Sequence, residues 1–197
     1  MARPWHRRPR MIPGRTRTGY RTYVAPHLDR QPPRVIFQRM NHEPITDLSF
    51  RPATAADLPR LVELLADDML GRERESVDGA LPASYAETFS AIEADANNEL
   101  IVGCVGERVV ATLQLTFTPS LSFQGSWRAT VESVRTTSEL RGRGIGAALM
   151  AHAVERAHAR GCGMVQLSTN KARADARRFY ERLGFTATHE GMKLMLR

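Results

Sequence analysis

The chain has 197 residues, 42% of them hydrophobic and 25% charged, with a formal net charge of +7 and two cysteines. That is enough apolar material for one domain with a core, and no apolar run is long enough to cross a bilayer. Cys104 and Cys162 form no paired ligand spacing and sit in apolar surroundings, so they read as free thiols rather than as a disulfide or a metal set.

The charge is uneven. Residues 1–46 hold ten arginines against Asp29 and Glu43, together with seven of the eleven prolines, and show no sustained period. They read as a basic, Pro/Arg-rich, disordered N-terminal extension. An RNA-sticking or membrane-surface arm, an inert extension, and a stretch upstream of a start at Met40 are its open readings. It lacks the apolar core and cleavage site of a secretory signal, although its arginine-rich, acid-poor composition leaves a transit peptide open. Residues 47–197 carry eighteen Lys/Arg against nineteen Asp/Glu. No nucleic-acid or membrane partner is therefore expected for the folded part, and a cytoplasmic location is.

Within residues 47–197, Leu48 to Pro52 reads as a strand. Asp57 then caps a helix in which Leu58, Leu61, Val62 and Leu65 recur at helical spacing, with Pro59 tolerated only in its first turn. After a polar loop from Asp67 to Gly79, Pro82 opens a second helix to about Ala94. Leu100 to Val105 and Val109 to Phe117 form a hairpin around Gly106-Glu107-Arg108, followed by a strand from Arg128 to Thr136. Ala147, Leu149, Met150, Ala153, Val154 and Ala157 share one arc of the next helix, which leaves His152, Glu155 and His158 to solvent. The two histidines are six apart, not the four that a shared metal needs, and no metal site is predicted. Met164 to Ser168 is a short buried strand. Ala176, Phe179, Tyr180 and Leu183 mark the inward face of a last helix, and Phe185 to Thr188 with Met192 to Leu196 supply a closing hairpin. The order β, α, α, β, β, β, α, β, α, β, β implies an α/β (α+β) fold, a mixed, mostly antiparallel sheet flanked by helices.

The chemistry concentrates at Leu140-Arg141-Gly142-Arg143-Gly144-Ile145-Gly146-Ala147, where a strand passes into a helix. Glycines there let backbone N–H groups approach an anion, and the positive end of the helix points at the same spot. A Walker loop requires Gly-Lys-Ser/Thr, which is absent. A dinucleotide fingerprint requires a carboxylate about 20 residues on, but the next strand ends Leu167-Ser168-Thr169-Asn170, and too little chain follows for a two-lobed sheet. A loop folded between strand and helix also suits a DNA minor groove poorly.

The downstream motif decides. Arg141-x-x-Gly144-x-Gly146, then a helix, a strand and Ala176-x-x-Phe179-Tyr180-x-x-x-Gly184-Phe185, resembles the acetyl-CoA-binding half of GCN5-related N-acetyltransferases (GNAT). The resemblance spans roughly residues 47–197, and its closing stretch from Leu167-Ser168-Thr169-Asn170 to Phe185 is similar to bacterial small-amine members, including aminoalkylphosphonate acetyltransferases. It implies the GNAT fold for that region and acetyl-CoA as cosubstrate, with no metal. It also implies transfer of the acetyl group to a primary amine by direct attack in a ternary complex.

By register with that family, Val134, Arg135 and Thr136 would line the pantetheine arm. Arg141, Gly142, Arg143, Gly144, Ile145, Gly146 and Ala147 would hold the pyrophosphate, and Asn170 would reach the arm from the other side. The resemblance makes Glu132 the base that deprotonates the amine and Tyr180 the acid that protonates the departing thiolate. A strand glutamate is ordinarily just solvated and a helical tyrosine ordinarily core, so the motif register is what singles them out. Glu132 is expected on the same face as Val134 and Thr136.

The acceptor falls to the loop holding Asp67, Asp68, Arg72, Glu73 and Arg74, and to Trp127, Arg128, Arg173 and the closing hairpin. Of these, Asp68, Arg72, Trp127, Arg128 and Arg173 are the candidate substrate contacts. Carboxylates suit a cationic amine and arginines an acid group on the same molecule, as in an amino acid or aminophosphonate. Acetylation of a protein or peptide amine, and an acyl-CoA-binding regulatory module without catalysis, are the alternatives. A homodimer is compatible with all three.

Overall fold

The computed structural model describes Ile45 and residues 47–67, 71–72, 74–75 and 79–196. The extension expected over residues 1–46 falls outside these apart from Ile45, and so do Asp68 and Glu73.

One strand decides the layering. Along β3 (Arg108–Thr118), Ala111, Leu113, Leu115 and Phe117 are buried on one face while Thr112, Gln114 and Thr116 occupy the other, as the two-residue period of a strand requires. β3 lies in the middle of a five-stranded sheet ordered β1-β2-β3-β4-β5, with β1 Leu48–Pro52, β2 Asn98–Val105, β4 Trp127–Thr136 and β5 Cys162–Leu167. Every junction is antiparallel except β4 with β5, which is parallel.

The three helices α1 (Leu58–Ala66), α2 (Ala83–Ala94) and α4 (Ile145–Ala159) cover the sheet. α4 lies on the Leu113 face, where Ile145, Leu149, Met150, Ala153 and Ala157 join Ile101, Leu113, Leu115, Ala129 and Val131 in the main core. α1 covers the other face, with Leu61 and Leu64 against Val102, Cys104 and Val109. α2 lies along β2 and buries Phe89. A short α3 turn (Ser122–Gly125) joins β3 to β4, and α5 (Ala174–Arg182) packs Phe179 and Tyr180 against the edge of the main core.

Local chemistry fixes the entry to α1 and the exit of α4. Asp57 closes a 3-10 turn by accepting the N–H and hydroxyl of Thr54 at 2.7 and 2.9 Å, and both of its carboxylate oxygens take Arg51. The arginine hydrogen bond outweighs desolvation and holds this carboxyl far below the ordinary aspartate range. The cap thus reaches back along the chain rather than forward into α1. At the other end of the sheet, Arg156 grips Glu99 through two hydrogen bonds and the Arg160 guanidinium lies 4.5 Å above the Phe117 ring.

β4 is bulged. Its register against β3 passes from Gln114↔Glu132 to Thr112↔Arg135, so Ser133 and Val134 together face Leu113, and Ser133 takes φ +53°. Directly paired residues share a face, so Glu132 and Arg135 lie with Gln114 and Thr112, while Thr136 lies with Ala111 on the α4 side. The expected common face for Glu132, Val134 and Thr136 is therefore corrected. An unbroken alternation would have given it, and the extra residue reverses the sense.

Two further expectations change. Residues 183–196 form no strand, so the closing hairpin over Phe185 to Thr188 and Met192 to Leu196 is absent. Phe185 folds back on Tyr180, but Met192-Lys193-Leu194-Met195-Leu196 is apolar at nearly every position and has no single face to bury, so its side chains stay exposed. His152 does not face solvent. Its ring stacks on Phe50 at 5.0 Å, and burial lowers its pKa below the usual histidine value.

A non-glycine residue at positive φ costs about 1–3 kcal/mol. Ser133→Gly is therefore expected to raise the urea midpoint and Ser133→Val to lower it, as equilibrium unfolding by circular dichroism would show.

Candidate active site

β4 and β5 part company halfway. Their pairing ends at Val131↔Leu167, where β5 stops, while β4 runs on through Glu132, Ser133, Val134, Arg135 and Thr136. The bulge lies in this stretch, which has β3 on one side and, among the described residues, no strand on the other. Backbone along such an edge is open to water or to an added extended chain.

The chain then turns through Ser138–Leu140 into the glycine loop. Gly142 and Gly144 take φ +79° and +84°, and α4 starts at Ile145. The first N–H bonded back into the helix is that of Ala148, to Gly144, which leaves those of Ile145, Gly146 and Ala147 at the open end. A side chain added at Gly142 or Gly144 would meet nothing within 4 Å, so there is room for a ligand above the loop. Gly146 is different. A Cβ there would stand 3.4 Å from Phe179 and 3.6 Å from the Thr136 hydroxyl, so this glycine lets α4, β4 and α5 approach one another.

Arg141 is already engaged. Its Nε donates to the Thr136 carbonyl at 3.3 Å, its Nη2 donates to the Asp67 carbonyl, and the same Nη2 lies 3.3 Å from Asp67 Oδ2. Arg143 is exposed on the rim of the loop.

Tyr180 lies at the other wall, in edge contact with Phe179 and Phe185. Burial pushes its phenol above the ordinary tyrosine pKa, while the Arg135 and Arg173 charges pull the other way. The charges of two residues singled out separately in the sequence thus act on this hydroxyl. Val134 and Thr136 are half-buried beside them, and Arg135 Nη1 donates to the Val134 carbonyl at 2.9 Å. Asn170 turns inward on its own loop, its side-chain oxygen accepting the Ala172 N–H at 2.9 Å.

On the face of the sheet shared with α1, Glu132 is exposed at the edge of a polar row that motif reading missed. Gln114 and Thr116 both donate to Asn98, at 3.0 and 2.9 Å, and Gln166 donates to the Thr130 hydroxyl at 3.0 Å. The signal was available: polar residues fall at every second position of β3, inside an apolar run. Arg128 lies on this face as well, four residues and about 13 Å of strand before Glu132. Its Nη2 donates to Ser120 at 2.5 Å and to Ser122 at 3.2 Å. Trp127 pairs with Cys162 where β4 meets β5, and Arg72 is exposed in the turn after α1. The predicted acceptor residues are thus not gathered in one place: Arg173 belongs with Tyr180, Arg128 with the polar row, and Asp68 lies outside the described residues.

The arrangement combines a glycine loop with free backbone N–H groups, an open strand edge, a buried phenol and a carboxylate on the opposite face. Residues 58–185 match the acetyltransferase (GNAT) family. An aminoalkylphosphonate N-acetyltransferase from Salmonella typhimurium is 38% identical over 64 residues, 32% of this chain and 42% of that protein, so the match spans less than half of that relative's length. Among solved structures, a transcriptional regulator from Bacillus halodurans C-125 is 56% identical with a TM-score of 0.74, over 76% of this chain and 99% of that one. An acetyltransferase from Trypanosoma brucei is 27% identical with a TM-score of 0.62, over 76% of this chain and 100% of that one. The chain belongs to the acetyltransferase (GNAT) family, a family of acyltransferases.

The burial of Tyr180 is open to direct measurement. Ultraviolet difference titration of the wild type against Tyr180→Phe is expected to show this phenol ionising above the ordinary tyrosine value of 10.0. Ionisation at or below that value would mean that the two arginines outweigh burial.

Proposed function

We propose that the chain moves an acetyl group from acetyl-CoA to the primary amine of a small acceptor, an amino acid or aminophosphonate-like molecule, by direct attack in a ternary complex. The observation that carries this is the edge of β4 beyond Val131↔Leu167, which leads straight into the glycine loop at the start of α4. Val134, Arg135 and Thr136 would hold the pantetheine arm. Arg141 to Ala147 would hold the pyrophosphate, with room above Gly142 and Gly144. Acetyl-CoA supplies an acyl group on a good leaving group.

The protein does the rest. Glu132 takes a proton from the acceptor ammonium, directly or through water, so that the amine can attack. A backbone N–H at the β4 bulge polarises the thioester carbonyl. Tyr180, a phenol that burial raises further above its ordinary value, gives a proton to the thiolate as the C–S bond breaks, and the second proton shed by the attacking nitrogen returns to the phenolate. An acid group on the acceptor would pair with an accessible arginine such as Arg72, which is exposed in the turn after α1. The Salmonella relative, named for an acceptor with both an amine and a phosphonate, supports this choice. Among the described residues no helix is long and apolar enough to cross a membrane.

One observation favours a second reading. The Bacillus halodurans neighbour is named a transcriptional regulator, so an acyl-CoA-binding module without catalysis is the alternative to an enzyme.

Thiol release from acetyl-CoA across amino acids, aminophosphonates, polyamines, aminoglycosides and N-terminal peptides separates the readings. Turnover with an acid-bearing amine is expected, whereas binding of acetyl-CoA with silence across the panel would favour the regulatory module. With an acceptor in hand, Tyr180→Phe should lower kcat by about 10²–10⁴-fold, the usual contribution of a general acid, and leave acetyl-CoA affinity unchanged. Equal losses in both would make Tyr180 structural. Glu132→Gln should likewise lower kcat and leave acetyl-CoA affinity unchanged, and an unaltered kcat would eliminate Glu132 as the base.

A further inference from the structure

Asp67 ends α1 and begins the loop toward α2, yet its contacts are with residues more than seventy positions later. Its Oδ2 accepts the Ser138 N–H at 2.7 Å and lies 3.3 Å from Arg141 Nη2, while its carbonyl accepts from that same nitrogen. One residue therefore joins the end of α1, the turn after β4 and the cation of the glycine loop.

We propose that Asp67 is a positioning residue for acetyl-CoA, holding Arg141 so that the free edge of its guanidinium meets the pyrophosphate. The proposal rests on the acetyl-CoA reading above. Nε and Nη2 of Arg141 are occupied by Thr136 and Asp67, and Nη1 has no protein partner among the described residues. A guanidinium has five donors in a rigid fork, so the two engaged nitrogens fix the plane in which the third is presented. A side chain already immobilised loses less freedom on binding.

The pair is not primarily a source of stability. Arg141 and Asp67 side chains are 51% and 30% exposed, and ion pairs so open to water contribute little to folding. A carboxylate beside a phosphate site would ordinarily repel the ligand. Here its charge is met by Arg141 and by the Ser138 N–H, so what reaches the loop is the orientation of the arginine. The same contact ties the wall on which the acceptor loop starts to the loop that grips the donor.

The test is the affinity of the full chain for acetyl-CoA and for acetylpantetheine, which lacks the pyrophosphate, measured by titration calorimetry with competition for the weaker ligand. Asp67→Ala is expected to weaken acetyl-CoA about tenfold, the scale of one hydrogen bond to a charged group, and to leave acetylpantetheine unchanged. Asp67→Asn keeps an acceptor for Ser138 but not the charge, and should show the same selectivity with a smaller loss. In an Arg141→Ala background, Asp67→Ala should add nothing further. Equal loss for both ligands, no loss for acetyl-CoA, or additive losses in the double variant would each overturn the proposal. A wild-type chain that binds neither ligand would overturn the acetyl-CoA reading and this role with it. Tight acetyl-CoA binding by both wild type and Asp67→Ala would overturn this role alone.

Discussion

The site depends on a strand that cannot satisfy both its neighbours. β4 pairs antiparallel with β3 up to Thr136 but parallel with β5 only as far as Val131. Past that point its backbone faces a gap open to water, where Glu132 and Ser133 are exposed and Val134, Arg135 and Thr136 half-buried. The residues around the parting are nonetheless among the protein's best packed. Leu113, which faces the bulge, and Val131, the last paired residue, are buried together with Leu149 and Met150 of α4. That packing also carries the strain of Ser133 at positive φ. The core thus holds open an edge that a regular sheet would close.

α4 works as a fixed post between that edge and the loop. Its C-terminal end is held by Arg156 on Glu99 and by Arg160, which covers Phe117 and donates to the Ala96 carbonyl at 2.6 Å. Two basic groups at this end also complement the negative pole of the helix. The N-terminal end is left polar and accessible, with Gly144 turning the chain so that successive N–H groups point outward. Gly146 lets β4 and α5 approach the first turn. The loop is therefore cradled by rigid elements, which is what an anion site needs if binding is not to cost much ordering.

The sequence made the local features legible and obscured those that depend on distant pairing. The helix after the glycine loop, the β2–β3 hairpin and the run of Phe179, Tyr180 and Leu183 rest on short-range periodicity, and the structure has them where that periodicity put them. Glu132 could be found on its strand but not assigned to a face, because a bulge at Ser133 is signalled by no glycine or proline. Met192 to Leu196 has strand-like composition, but a ladder requires a partner edge, which composition does not specify. Asp67 read as one of several loop charges because its partners, Ser138 and Arg141, lie beyond two helices and three strands. The polar row of Gln114, Thr116 and Thr130 was visible as an alternation, and only the register across strands turns it into a surface.

The environment of Tyr180 sets two demands against each other. On the proposed reading, its phenol must be protonated near neutral pH and must also release that proton to a thiolate. Burial serves the first demand and works against the second, because a phenol above 10 is a weaker acid than a thiol near 8.5. Arg135 and Arg173 act on the second. Each favours the phenolate that forms as the proton leaves, and neither is strong enough to undo the effect of burial in the resting state. Arg135 comes from the strand that would hold the pantetheine arm and Arg173 from the start of α5. The acid is therefore tuned by the two elements that border the gap, and its strength depends on how closely they flank it.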